Sequence, residues 1–147
     1  MADPTRADAA RADAALPTIR VAAVALIRHR HVLMVTARGR DVIYMPGGKI
    51  DRGENAPDAA IREAREEISV ELDASSVAPL FTVTVQAHGE PAGRLVEMQV
   101  FAASTPDEPR ASAEVDEVHW VTTADASRCP PAGRETLRRL AELDLID

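Results

Sequence analysis

Lysine is nearly absent from this 147-residue chain: Lys49 is the single example, and arginine carries the rest of the basic charge. No basic stretch could neutralise a nucleic-acid backbone, and the net charge is −7. Binding to a nucleic-acid polymer is therefore not expected. Cysteine is equally scarce. Cys129 stands alone, which excludes an internal disulfide and favours a cytoplasmic setting. Signal-peptide and membrane-spanning patterns are missing, so no membrane partner is expected. Aromatics make up only 3% of the residues, so a site that stacks on a flat ring must draw on Tyr44, Phe81, Phe101 or Trp120. What is present is ordinary for a globular protein, 46% hydrophobic and 28% charged, in a length that suits one domain with a sizeable core.

Residues 1–17 are of low complexity. Arg6 to Ala10 and Arg11 to Ala15 repeat the pentapeptide RADAA, which favours helix but offers no large apolar face. This stretch is expected to be a tail or loosely docked helix, and residues 18–147 a single domain. Ile19 to Ile27 is an apolar, β-branched run that predicts a buried strand, and His31 to Ala37 a second. Arg28-His29-Arg30 between them predicts a hairpin. Val42 to Met45 predicts a short strand, and Ser69 to Leu72 the start of another. Val77 to Ala87 and Leu95 to Ala103, joined by a Gly- and Pro-containing turn, predict a second hairpin. Val115 to Thr122 is the last expected strand. A helix from about Ala132 to Leu143 presents Leu137, Leu140 and Leu143 as its packed face. Mixed order with two hairpins predicts an α/β fold, a mixed sheet between helices.

The organising stretch runs from Met45 to Val70. Pro46-Gly47-Gly48 marks a tight loop. Asn55 is a good N-cap, Pro57 falls in the first turn and Asp58 sits near the positive helix end, so a helix is expected from about Ala56 to Ile68. Ile61, Ala64 and Ile68 share one face of it. Glu63, Glu66 and Glu67 fall at i, i+3 and i+4 on another. Like charges at those spacings each cost roughly 0.2–0.5 kcal/mol. A hard divalent cation with oxygen ligands is the obvious compensation, with Arg62 orienting or partly neutralising the cluster. The bland alternative is a solvated acidic face laced by Arg62 and Arg65.

Gly48, Glu54, Arg62, Glu63, Glu66, Glu67 and Val70 match the spacing G-x5-E-x7-R-E-U-x-E-E-x-G-U, where U is apolar. This resembles the Nudix box of the Nudix hydrolases. Ala64 fills the first apolar slot with a small residue, and Ser69 stands where the pattern has glycine. At that departure we expect an ordinary negative φ at Ser69, because serine avoids the left-handed backbone. The resemblance implies the Nudix α/β/α sandwich, and the element order fits it from about Ile19 onward. It also implies hydrolysis of a nucleoside diphosphate linked to some other group, with Mg²⁺ or Mn²⁺ holding the diphosphate. By the same resemblance Glu63 and Glu67 are metal ligands, and Glu66 is a third or water-mediated one. Glu54 is a ligand or the partner of Arg62, and the Gly47 carbonyl faces the metal. Gly48 allows close backbone approach.

The general base is not fixed by the box; Glu66, Glu97, Glu114 and Glu117 are the candidates. Glu97 shares a strand face with Leu95 and Gln99, which would aim it into a cleft. Lys49, Arg38 and Arg40 are the nearest cations for phosphate, with surface solvation favoured for Arg40. Tyr44 lies closest in sequence for stacking. His88 and His119 are weaker candidates for touching phosphate or base. MutT-type members that hydrolyse oxidised guanine nucleotides carry a purine-reading asparagine after a Pro-Pro-Ala segment. Here Pro130-Pro131-Ala132 is followed by Gly133. The expected function is a metal-dependent pyrophosphohydrolase of a small nucleotide or derivative: a nucleoside triphosphate, nucleotide sugar or dinucleotide. A nucleotide-binding sensor is the alternative, disfavoured because every box carboxylate is present. An isoprenoid diphosphate isomerase would need an early nucleophilic cysteine, and Cys129 is late. A homodimer is left open.

Overall fold

The computed structural model describes residues 16–112 and 114–147, so nearly all of the expected tail at 1–17 lies outside the described residues. In order, the chain forms β1 (Ile19–Ala25), β2 (Ile27–Arg28), β3 (His31–Ala37), β4 (Ile43–Tyr44) and β5 (Gly47–Lys49). Helix α1 (Ala56–Ile68) and a 3₁₀ turn (Ala74–Ser76) follow, then β6 (Ala78–Gln86), β7 (Leu95–Ala102) and β8 (Val115–Val121). A second 3₁₀ segment (Thr123–Arg128) leads into α2 (Pro131–Glu142).

Two four-stranded sheets make the middle layer. The first has the order β5-β1-β7-β6, with β1 parallel to β7 and antiparallel to β5. In the second, β3 pairs antiparallel with β2, β4 and β8. Alternate residues of the central strands look to opposite sides. Ala22, Val24, Leu33 and Val35 join the cluster under α1, built on Ala59, Ala60, Ala64 and Ile68. Ala23, Ala25, Val32 and Met34 join the cluster under α2, with Leu137 and Leu140. Both sheet faces are thus covered, giving an α/β/α sandwich.

The first expected hairpin is corrected. The strand breaks at Leu26, so β1 and β3 lie in different sheets and the hairpin is formed by the short β2 with β3. His29 and Arg30 make that turn with φ of 50° and 60°, the left-handed pair a two-residue hairpin demands. Gly47 and Gly48 are strand rather than loop, because β5 runs antiparallel to Val21–Ala23 of β1. Residues 69–73 form no strand. Val70 and Leu72 are buried, but the Glu71 N–H donates to Asp107 Oδ2 (2.8 Å) and the Asp73 N–H to the Ser104 carbonyl (2.9 Å). Leu143 is 51% exposed and not part of the packed face of α2. The 3₁₀ segment after β8 was signalled by Thr122 and Asp125, which form a reciprocal capping box.

Ser69 is also corrected. Its φ is +57°, left-handed, at the C-terminal cap of α1. There its N–H reaches the Ala64 carbonyl, so the cap donor is itself satisfied, and the next residue, Val70, is buried. Those gains outweigh the local cost of a Cβ in this region, about 1 kcal/mol. Ser69→Gly is accordingly expected to raise Tm by about 2–4 °C, the shift that about 1 kcal/mol gives at this size. Thermal melts check this; an unchanged or lower Tm would show that the serine is not strained.

Candidate active site

Helix α1 begins where Asn55 accepts the Asp58 N–H at 2.8 Å, with Pro57 in its first turn. Ala59, Ala60, Ala64 and Ile68 are fully buried and fix its rotation against the sheet. That rotation turns Glu63 and Glu67 toward β5. The small residues matter here: alanines let the helix backbone lie close enough for short carboxylates to touch the strand. Gly48 presses on Glu63 so tightly that a Cβ would overlap its carboxylate. A Cβ at Gly47 would instead overlap the Ala22 carbonyl and Ala23 Cα of β1.

Arg62 is the clamp of the cluster. Its Nε and Nη2 donate to the two oxygens of Glu54 at 2.9 and 3.0 Å, and Nη2 also to the Lys49 carbonyl at 3.1 Å. Its Nη1 donates to Glu63 Oε1 at 2.9 Å and, more weakly, to Glu66 Oε2 at 3.4 Å. The fork geometry suits Arg and would not survive replacement by Lys. The Glu54 hydrogen bond, joined by Glu63, raises the Arg62 pKa well above its usual value. Conversely, Arg62 and the Asp51 N–H hold the Glu54 carboxyl below the usual carboxylate range. In this chain Glu54 therefore serves as the arginine's partner.

Glu67 is different. It is half-buried and accepts the Gly47 N–H at 3.2 Å. Burial, aided by the Glu63 carboxyl in contact with it and by Glu66, pushes its pKa up to about 8. Two touching carboxyls with one low-dielectric wall require either a shared proton or a cation between them. This all-oxygen donor set fits a hard divalent ion. Among the described residues no three His, Cys, Asp or Glu side chains are grouped so as to hold a metal ion as they stand. Glu63 and Glu66 lean on Arg62, and Glu66 is 55% exposed, so a third carboxylate joins only by rotating away from the guanidinium.

Glu67, Gly47 and Gly48 form one wall of a cavity of about 410 Å³, with Lys49 and Tyr44 also lining it. Apolar side chains fill much of the remaining wall, among them Val35, Met45, Val96 and Met98. The structure does not bring all expected residues here. Arg38 lies outside the lining and pairs with Asp116 at 3.5 Å. Glu97 is corrected: Val96 and Met98 face the cavity, while Glu97 stands on the other face of β7 and pairs with Arg20 at 3.7 Å. Arg40, expected to be solvated, does line the cavity, as do His88, Glu90, Glu114 and Gly133. Only chain folding brings these together; no spacing in the sequence links them. His119 is instead hydrogen-bonded to Thr36 Oγ1 at 2.6 Å on the second sheet.

The NUDIX domain family model matches residues 17–142. A structure described as a Nudix hydrolase family member from Chromobacterium violaceum superposes with a TM-score of 0.69 at 27% identity, covering 86% of this chain and 79% of that one. The Escherichia coli dihydroneopterin triphosphate pyrophosphohydrolase superposes at 0.67 with 21% identity, covering 84% and 95%. A Caenorhabditis elegans Ap4A hydrolase does so at 0.65 with 22% identity, covering 86% and 97%. No curated protein sequence matches the chain. The match over nearly the whole described length settles the family: the chain belongs to the Nudix family and is a Nudix hydrolase.

Proposed function

We propose that this Nudix hydrolase cleaves a diphosphate linkage in a small nucleotide or nucleotide derivative and depends on Mg²⁺ or Mn²⁺. The observation that carries this reading is the contact between Glu63 and Glu67 at the cavity wall, beside the Gly47 N–H. Glu63 and Glu67 would hold the cation, Glu66 would add a third oxygen, and the Gly47 carbonyl a fourth. A cation bound there supplies charge screening for the diphosphate and a water of lowered pKa. Arg62 keeps the carboxylates aligned while they exchange partners. Lys49 and Arg40, on the same cavity, meet the outer phosphates. Tyr44 offers the ring on which a base can lie. Of the four carboxylates considered as general base, Glu114 lines the cavity, so it is the first to test.

The named activities of structural neighbours, on a pterin triphosphate and on Ap4A, support this substrate range. A panel of nucleoside triphosphates, nucleotide sugars and dinucleoside polyphosphates, assayed with Mg²⁺, Mn²⁺ or EDTA, tests it. Release of phosphate products only with a divalent ion is expected; equal activity in EDTA would overturn the metal dependence. The isomerase alternative loses its nucleophile. Cys129 is 3% exposed, and burial pushes its thiol up to about 11.

Specificity follows from Gly133. It lines the cavity together with Pro130 and Ala132, where an amide could have read a purine edge. Without one, 8-oxo-dGTP should be preferred over dGTP by less than about a hundredfold in kcat/KM, the scale at which polar readout operates. A larger ratio would mean that another side chain reads the base.

A further inference from the structure

The loop joining β6 and β7 is held by a single side chain. Gln86, the last residue of β6, turns its amide back over the loop. Its Nε2 donates to the carbonyls of Ala87 (3.2 Å), Glu90 (3.3 Å) and Pro91 (2.9 Å), and its Oε1 accepts the Gly93 N–H (2.8 Å). Backbone bonds close the same loop: the Ala87 N–H donates to Arg94 O at 2.9 Å, and the Arg94 N–H to Pro91 O at 3.0 Å. Gly89 and Gly93, with φ of 74° and 93°, supply the two sharp bends. The braced loop carries its tip to the cavity. His88 and Glu90 line the cavity, and the His88 ring meets Tyr44 edge-on, centroids 6.4 Å apart and planes at 64°. Glu90 is itself steadied by Arg94 at 3.5 Å.

We infer that His88 is a substrate-contacting specificity residue, paired with Tyr44 against the base, and that Gln86 is the positioning residue that holds it there. This rests on the nucleotide reading above. Aromatic residues are scarce in this chain, so a base entering the cavity meets Tyr44 and His88 as its two flat partners. A loop already ordered in the binding geometry removes the entropy that ordering would cost at the moment of binding. Without the Gln86 amide, the Glu90 carbonyl and the Gly93 N–H turn to water, the Ala87 and Pro91 carbonyls keep only their backbone donors, and the loop samples other shapes. The apparent dissociation constant then rises by the inverse of the competent fraction, while a substrate once bound reacts normally.

The test uses the nucleotide that wild type hydrolyses best in the panel. Gln86→Ala is expected to raise KM about tenfold with kcat within about twofold, the signature of a reduced competent fraction. His88→Ala should raise KM by a similar factor. The double variant should be no worse than His88→Ala alone, because one residue acts through the other. Gln86→Glu should not rescue, since a carboxylate would face three carbonyls. Equal losses in kcat for all variants, additive KM effects or an unchanged KM in Gln86→Ala would overturn the inference. An independent measurement needs no variant. The chain has four histidines, so their ring signals can be followed singly by NMR. Adding the nucleoside monophosphate product should shift His88 and leave His29 and His31 in place. A stationary His88 in an enzyme that does hydrolyse nucleotides defeats this inference alone; a wild type that hydrolyses none of the panel defeats the nucleotide reading and this with it.

Discussion

Glu67→Gln is expected to lose at least two orders of magnitude in turnover while melting, in EDTA, no lower than wild type. The substitution nearly preserves volume and still accepts the Gly47 N–H that Glu67 accepts at 3.2 Å. It removes a carboxyl whose ionisation is opposed by burial and by Glu63, so the metal-free fold no longer has to hold a proton there. It also replaces a carboxylate by an amide, a much weaker ligand for Mg²⁺. The size of the activity loss follows from the role of metal in activating water and screening phosphate charge. Wild type should gain Tm on adding Mg²⁺, because a ligand selective for the folded state stabilises by mass action. The variant should gain much less. A solvated acidic face would behave oppositely: no response to Mg²⁺ in either protein, and unchanged hydrolysis. Thermal melts with and without Mg²⁺ and one phosphate-release assay separate the two, and near-normal turnover would remove Glu67 from the metal site.

The raised pKa of Glu67 adds a dependence on pH. An acid whose folded pKa, about 8, lies above its ordinary value of 4.5 binds its proton more tightly when folded. Its contribution to stability is therefore complete below about pH 4.5 and is lost as pH rises through 8. In EDTA, wild type should lose Tm relative to Glu67→Gln across that window. Excess Mg²⁺ should flatten the difference in wild type, because metal replaces the proton between Glu63 and Glu67.

The box helix was legible almost residue by residue. Asn55 and Pro57 fix its start by local chemistry, and of the expected face Ala64 and Ile68 are buried, while Ile61 is only partly so and Ala59 and Ala60 complete the contact. Ser69 was misread because a side-chain preference was set against nothing. The cap hydrogen bond and the burial of Val70 that oppose it are visible only in three dimensions. The β1–β3 error has a related cause. A strand buried on both faces shows no alternation, so its sequence does not say which neighbour it pairs with. Glu97 shows the limit of period-two reasoning. Alternation correctly groups it with Leu95 and Gln99, yet it cannot tell whether that face or the face of Val96 and Met98 meets the cavity. The carboxylate cluster of the site, Glu54, Arg62, Glu63, Glu66 and Glu67, sits within one continuous stretch and could be read from it. The rest of the cavity wall gathers Tyr44, His88, Glu114 and Gly133 from four separate segments, and only packing unites them.

The two box glycines should fail in opposite ways when each gains a methyl group. At Gly47 the added Cβ meets backbone, the Ala22 carbonyl and Ala23 Cα of β1. Neither can move without parting β5 from the central strand at the Ala23–Gly47 pair. Overpacking against fixed backbone atoms costs roughly 2–3 kcal/mol, the upper part of the usual range, so Gly47→Ala should lower Tm on the order of 4–12 °C. At Gly48 the added Cβ meets the Glu63 carboxylate, the far end of a flexible side chain. Glu63 can swing aside at little cost to the fold, so Tm should fall by no more than about 3 °C. What it leaves is its place against Glu67. Gly48→Ala should therefore lose about a hundredfold in turnover, an estimate resting on the scale of metal-ion catalysis. It should also require a higher Mg²⁺ concentration for half-maximal rate. Melting curves and Mg²⁺ titrations of the rate in the two variants give the comparison. If Gly48→Ala kept wild-type Mg²⁺ dependence, the Glu63 carboxylate would not be a ligand where Gly48 now holds it. If Gly47→Ala kept its melting temperature, the close approach of β5 to β1 would not be what glycine is needed for at that position.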